Sequence, residues 1–263
     1  MFPLIDDNLK VIFFWSPKCA CSSVKNYYIS INKDKFKDKN ISNVHAVVWC
    51  HPFTDLDKYK DYKKILIVRD PYERAVSAFI TMMGYFGWTQ YTDLSDEKFV
   101  EWFWENYNRK NEQFKIINDV NKSREQVIAY KKNPSFRNFL NILDSTDINF
   151  MNEHLSPQSY NYFFPKIEKN SFDSIVNIKD LNNWLKSFNK QHNIEGEIKN
   201  INQVPYNGLN DKMCDINIVE YFKKQIGYPN WIYFYDKEIK EKVEKIYASD
   251  FELTGKQIFT PLF

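Results

Sequence analysis

Lys18, Ser22 and Ser23 in one short segment, and Arg69 and Ser77 in another, are residue types that hold anions. The first segment, Ile12 to Lys25, reads IFFWSPKCACSSVK, and the second, Ile65 to Phe79, reads ILIVRDPYERAVSAF. In each, a short apolar run leads into a turn with a basic residue in or beside it, then into hydroxyls at or inside a helix. That layout aims main-chain N–H groups, a helix N-terminus and a cation at one point, which is how a protein grips a phosphate-like group. In the first segment the serines and the helix start suit a terminal anionic group, with the Lys18 ammonium on its bridging oxygen. The same residues equally suit a solvated lysine and two capping serines. In the second, an arginine fork and a serine eight residues on, two turns into a helix begun at Pro71, suit a phosphate monoester. Taken alone, Arg69 reads rather as half of a salt bridge at the sheet edge. Two such cradles point to a ligand that is anionic at both ends.

The elements that must position these groups follow from hydrophobic periodicity. Leu9 to Trp15 (LKVIFFW) predicts a first strand, buried on both faces if parallel, with Ser22 and Ser23 as N-cap candidates for the helix through Val24, Tyr27, Tyr28 and Ile31. Val44 to Trp49 (VHAVVW) predicts a second strand, Asp55 to Tyr62 a helical crossover, and Lys64 to Val68 (KILIV) the next central strand. Pro71 sits where a first helical turn tolerates it, Asp70 is a candidate cap, and Glu73 and Arg74 are a candidate surface pair. Asp96 to Tyr107 and Ser135 to Leu143 carry apolar stripes at helical spacing, Ser174 to Ile178 predicts a late strand, and Asp180 the cap of a helix through Phe188. Asp236 to Ala248 predicts the last long helix. The alternation of strand, turn, helix and strand predicts an α/β fold: one domain, residues 1–263, with a P-loop-like parallel sheet flanked by helices and additional helical segments in the C-terminal half.

Composition narrows the function. With 36 Lys and Arg against 34 Asp and Glu the net charge is +2, so there is no global basic field of the kind that binds nucleic acid, and any anion site must be local. The start MFPLIDDNLK lacks the pattern of a signal peptide and the apolar runs are too short to span a bilayer, which predicts a soluble, cytoplasmic chain. The four cysteines, Cys19, Cys21, Cys50 and Cys214, are too few and too clustered for a disulfide framework and are expected as reduced thiols. A zinc site from Cys19, Cys21, Cys50 and His51 matches no standard ligand spacing, so no metal is expected.

The two cradle segments together resemble the cofactor-binding motifs of sulfotransferases, enzymes that use 3′-phosphoadenosine 5′-phosphosulfate (PAPS). SPKCACSSVK is similar to the first motif, which implies that Pro17, Lys18, Cys19, Ala20, Cys21, Ser22 and Ser23 line the 5′-phosphosulfate. VRDPYERAVSAF is similar to the second, which implies that Arg69 and Ser77 hold the 3′-phosphate. The wording is closest to the branch that includes the Golgi carbohydrate sulfotransferases acting on chondroitin, dermatan and related glycans. SFRNFL (Ser135 to Leu140), HLSPQ (His154 to Gln158), FDSIVNIKDL (Phe172 to Leu181) and IYASDFEL (Ile246 to Leu253) resemble further stretches of that branch. Its animal members carry a membrane anchor and luminal disulfides that this sequence does not show, so compartment and acceptor are not carried over.

The resemblance implies in-line transfer of a sulfuryl group to an acceptor hydroxyl, with PAP (3′-phosphoadenosine 5′-phosphate) as the other product. Its demands are those of phosphoryl transfer: positioning, a base, and positive charge on the departing oxygen. Lys18 is the candidate for that charge. A sulfuryl group carries less negative charge than a phosphoryl group, so a lysine and main-chain donors suffice without a metal. His51, in CHPFTDL just past the second predicted strand, is the first candidate base, since a histidine takes a proton near neutrality. His45 is the reserve, read as a core histidine inside the strand. His154 could line the acceptor cleft or bond a loop, His192 reads as surface, and a carboxylate between Tyr91 and Glu105 stands behind them.

Two other classes compete. A P-loop nucleotide kinase shares the strand, turn and helix logic, but the GK[ST] sequence and an obvious magnesium-binding carboxylate are missing. A non-catalytic nucleotide- or glycan-binding relative could stack sugars on Trp88, Tyr91, Trp102 and Trp104. Arg109, Lys110, Lys122 and Arg124 could attract an anionic polysaccharide, though a charged helical excursion is usually a solvated face.

Overall fold

The computed structural model describes residues 2–39, 41, 43–48, 57–85, 93–107, 123–160, 169–199, 208, 211–224, 227–255, 259–261 and 263. In chain order the elements are β1 (Phe2–Asp6), β2 (Val11–Trp15), α1 (Cys21–Ile31), α2 (Lys33–Phe36), α3 (Val44–Val47), β3 (Lys63–Val68), α4 (Pro71–Tyr85), α5 (Asp96–Tyr107) and α6 (Arg124–Lys132). They continue with α7 (Phe136–Asp144), β4 (Ser174–Asn177), α8 (Leu181–His192), α9 (Ile218–Lys223), α10 (Lys237–Ile246) and α11 (Ala248–Thr254). The chain divides into two compact units, one of Met1–Arg69 with Gln158–Gln203, the other of Asp70–Pro157 with Val204–Phe263.

The first unit holds the sheet, in the order β1-β2-β3-β4. β2, β3 and β4 run parallel, and β1 pairs antiparallel with β2. The fold class is therefore α/β, as the strand and helix alternation predicts. β2 is buried along its whole length, as a strand between two neighbours with covered faces must be. Phe13 packs edge-on against Tyr27 of α1 and Phe188 of α8, which seats those helices on the sheet. The edge strand β1 has no counterpart in the hydrophobic pattern because Pro3 interrupts it, and an edge is where a strand tolerates proline.

The predicted second strand is a correction. Val44–Val47 is one turn of helix, α3, and the Asn43 side chain caps it by accepting from the His45 N–H at 2.9 Å. A short apolar run does not distinguish a buried strand from a buried helical turn, and an Asn at the N-cap tips the balance. The predicted crossover from Asp55 is described only from Asp57, as a single 3₁₀ turn over Asp57–Tyr59.

The second unit is helical around an aromatic core that includes Phe79, Phe103, Phe136, Phe139 and Tyr235. Asp70 caps α4, accepting from the N–H groups of Tyr72 at 3.0 Å and Glu73 at 3.1 Å. Ser135 caps α7, and Asp236 caps α10 through the Ile239 N–H at 2.9 Å. The last helical stretch breaks at Tyr247 into α10 and α11 instead of running unbroken to Ala248. Glu73 and Arg74 are buried, which corrects the surface pair. Arg74 donates to the Ser156 carbonyl at 2.9 Å and lies 3.9 Å from the carboxylate of fully buried Asp250.

Trp102 and Trp104 are buried as well, which removes them as sugar platforms; Trp88 and Tyr91 lie outside the described residues. Arg124 pairs with Glu97 at 2.7 Å, and Arg109, Lys110 and Lys122 lie outside the described residues. No helix among the described residues is long and apolar enough to cross a membrane.

Candidate active site

β2 and β3 are parallel neighbours in register Phe14↔Leu66, so the chain leaves both strands at the same end of the sheet. That end is where doubly wound α/β proteins bind ligands. The loop after β2 runs from Ser16 to Ala20 and closes with the Cys19 N–H on the Ser16 carbonyl at 3.1 Å. Lys18 at φ 69° and Ala20 at φ 53° are in the left-handed region. For a side-chain-bearing residue that region costs about 1–2 kcal/mol, and such strain gathers at ligand sites. The turn delivers the chain straight into α1, whose N-cap residue is Ala20, with no side-chain cap. Ser22 and Ser23 are therefore not caps but residues of the first turn, a correction that follows from Ala20 taking the cap position. An N-terminus without a side-chain cap is one that a bound anion can cap.

Pro17 and Cys19 are buried, Ser22 is buried, and Lys18, Ala20, Cys21 and Ser23 are partly exposed around the loop and first turn. The Ser22 hydroxyl lies 2.9 Å from Nε2 of His45, and Nδ1 of His45 lies 3.4 Å from the Lys25 ammonium. Lys25 is buried, with its Nζ 4.4 Å from the centre of the Trp15 ring. An ammonium has only protons to give, so Nδ1 accepts, and the neutral ring carries its proton on Nε2 and donates it to Ser22. Desolvation first, then the charges of Lys25 and Lys18, hold the His45 pKa below the ordinary histidine value, which keeps the ring neutral near pH 7. His45 is thus exposed yet tied to Ser22 and Lys25, not a core histidine of a strand.

Arg69 follows β3 directly and its Nη1 donates to the Lys18 carbonyl at 3.2 Å. The first unit therefore brings together Lys18, Ser22, Ser23, His45 and Arg69. Ser77 lies in α4 of the second unit and is partly buried. His51 and Cys50 lie outside the described residues.

The other histidines and carboxylates have structural partners. His154 in the second unit turns its N–H and Nδ1 onto Asn152 Oδ1, at 3.0 and 2.8 Å. His192 is half-buried, not a surface residue, its ring 4.3 Å from that of Phe188. Asp96 bonds Lys131 at 2.9 Å, which occupies one carboxylate of the stretch between Tyr91 and Glu105.

Cys214, Asp215 and Asp236 bring ligand-type atoms within 4.8 Å of one another. Arg137 bonds Asp215 at 2.6 Å and Asp236 at 2.5 Å, and Lys212 bonds Asp236 at 3.0 Å, so protein cations already neutralise the cluster. Burial and the bond to Asp215 push the Cys214 thiol up to about 12, leaving it protonated where a metal wants a thiolate. Among the described cysteines Cys19, Cys21 and Cys214 are free.

One participant escaped the role assignment. Gln158, at the end of HLSPQ, is buried against Arg69 and Cys19. The sequence marks it only as part of a stretch similar to the family, because its partners lie 89 and 139 residues away.

A family model described as the sulfotransferase family matches residues 3–255. A match over nearly the whole chain shows that this protein belongs to the sulfotransferase family, whose reaction is sulfuryl transfer. No curated protein and no solved structure matches the chain.

Proposed function

We propose that the protein transfers the sulfuryl group of PAPS to a hydroxyl of a carbohydrate and releases PAP. The observation that carries this reading is the loop from Ser16 to Ala20: two left-handed residues lead into a helix start without a side-chain cap, with Lys18 on the loop and Ser22 in the first turn. These are the donors that a 5′-phosphosulfate needs, and they fit it chemically. Lys18 supplies positive charge to the oxygen that departs with the 5′-phosphate, and Ser22 and Ser23 supply hydroxyl donors. Arg69 and Ser77 are assigned the 3′-phosphate on the similarity of the second motif. The carbohydrate acceptor rests on the wording of the motifs and of HLSPQ.

In the reaction the acceptor oxygen forms a bond to sulfur as the bond from sulfur to the 5′-phosphate oxygen breaks, and the acceptor proton passes to a base. We assign the base to His51, with His45 second. His45 is neutral, as a base must be, but in the described arrangement its free lone pair is taken by Lys25. It could accept a proton only by releasing that contact. Its steadier role is to hold the Ser22 hydroxyl in place.

The test is thermal stabilisation by nucleotides. PAP at a large excess over its dissociation constant is expected to raise Tm clearly, since ligand at about 100 times Kd adds about 2.7 kcal/mol, while AMP, ADP and ATP do not. Equal stabilisation by ATP, growing with magnesium, would replace this reading by a phosphotransferase. Transfer of sulfate from PAPS to a glycan panel then reads the acceptor class.

A further inference from the structure

Gln158 makes four contacts that no surface residue could make. Its carboxamide oxygen accepts from the Arg69 N–H at 2.9 Å and from the Cys19 thiol at 3.1 Å, and its Nε2 donates to the Arg69 carbonyl at 2.6 Å. Its main-chain carbonyl accepts from the Ser16 hydroxyl at 3.3 Å. The side chain is 1% exposed, so water does not replace these bonds.

The pattern is that of a strand. β3 ends at Val68, and the carboxamide takes both the N–H and the C=O of the next residue, as a neighbouring strand's peptide would. It thereby fixes the main chain from which the Arg69 guanidinium springs. Through Cys19 and Ser16 it fixes the loop that carries Lys18. The Arg69 Nη1 bond to the Lys18 carbonyl at 3.2 Å closes the circuit.

We infer that Gln158 is a positioning residue for sulfuryl transfer, a third element that locks the Lys18 loop and the Arg69 main chain in one relative register. This rests on the PAPS reading above. Only a carboxamide fits. A glutamate keeps the acceptor for the Arg69 N–H but sets a carboxylate oxygen against the Arg69 carbonyl, where two acceptors repel. A methionine keeps the volume and the main-chain bond from Ser16 but loses the three bonds of the carboxamide.

The experiment compares wild type, Gln158→Glu, Gln158→Met and, as a control for lost stability, Tyr28→Phe, which removes the buried bond from Tyr28 to the Ile5 carbonyl elsewhere in the same unit. Three readouts are taken: Tm, amide exchange at Cys19 and Arg69 without nucleotide, and PAP affinity with kcat and KM. Expected for both Gln158 variants is faster exchange at Arg69, PAP affinity weaker by about 10-fold, and kcat down by about 10²-fold, since a displacement near 1 Å in a reacting geometry costs about that much. Tyr28→Phe is expected to lower Tm with kcat near wild type. The inference is overturned if wild type binds PAP and the Gln158 variants match Tyr28→Phe in kcat and affinity at equal Tm, or if exchange at Arg69 does not change. Failure of wild type to bind PAP sinks the donor assignment itself and the positioning role with it. The exchange result then still tells whether Gln158 braces the loop.

Discussion

The guanidinium of Arg69 donates to the main-chain carbonyl of Lys18 across 3.2 Å. The loop of the first motif and the arginine of the second are therefore neighbours at one end of one sheet, a consequence of β2 and β3 being adjacent and parallel. The Lys18 carbonyl is held by the Arg69 guanidinium and the Cys19 N–H by the Ser16 carbonyl, so both sides of the peptide after Lys18 are fixed within the first unit.

Replacing Lys18 by alanine is expected to lower kcat by about 10²–10³-fold, the usual effect of losing one preorganised donor to a developing negative charge. PAP binding should weaken with it. Steady-state kinetics and PAP titration check this, and an unchanged kcat would remove Lys18 from the departing oxygen.

His51→Ala is expected to abolish turnover while PAP binding stays near wild type. The same two measurements on His45→Ala should show the opposite emphasis, weaker PAP binding through the Ser22 hydroxyl with residual turnover. Full activity in His51→Ala would pass the base to His45 or to a carboxylate.

The pH dependence has a definite sign. Protonated His45 would point a second proton at the Lys25 ammonium, so acid breaks the Lys25 contact and drives the ring from its seat beside Ser22. Because the pKa is lowered in the fold, wild type should keep its PAP affinity down to pH values below the ordinary histidine value of about 6.5 and lose it beneath that. Lys25→Met removes both the lowering charge and the ammonium that repels a protonated ring, so the acid limb of a PAP-affinity profile should flatten. No change would show that Lys25 does not act on His45.

Ala20→Gly is expected to raise Tm by about 2 °C. The left-handed penalty of about 1–2 kcal/mol outweighs the chain entropy of about 0.5–1 kcal/mol that glycine loses, and about 1 kcal/mol is worth about 2–4 °C in a chain of this size. Calorimetry decides. A fall in Tm would mean that the Ala20 methyl, which packs on the core of the first unit, contributes more than its backbone strain costs.

Arg137→Met should destabilise the second unit by about 2 kcal/mol, because it leaves Asp215 and Asp236 without their main partner. Although burial alone would raise it, the Asp236 carboxyl is held well below the usual range by the Ile239 N–H, Lys212 and Arg137. A carboxylate depressed in the folded state stabilises above its unfolded pKa of about 3.9 and ceases to do so as pH falls through the folded value. The difference in Tm between the two proteins should therefore be full at neutral pH and shrink below about pH 4. A constant difference down to pH 2 would assign it to packing instead.

Much of this was written locally. β2 and β3 are short apolar runs, α4, α5 and α7 have apolar residues at helical spacing, and all five form close to the expected bounds. Where the pattern was short the reading failed: six residues at Val44 look the same as strand or helical turn, and Pro3 hides an edge strand. At the site, residue types were legible and conformations were not. Nothing in SPKCACSS marks Lys18 and Ala20 as left-handed, since glycine, the usual sign, is absent. Arg74 misled because its partners, Ser156 and Asp250, are far along the chain.

The unit that carries the cradle is assembled from two stretches of chain, and Cys19 meets Gln158 across a separation of 139 residues. During synthesis the Lys18 loop and Arg69 emerge early, but β4 and the brace that aligns them follow only after all of Asp70–Pro157 has been made. Contacts so distant in sequence form slowly, because the intervening chain must be ordered or looped first. On the proposed donor reading, a nascent chain is expected to be blind to nucleotide until its translation is more than half done. Donor recognition, as proposed, is then expected late in the life of each molecule, and PAP added during refolding should speed the last phase and leave the first untouched.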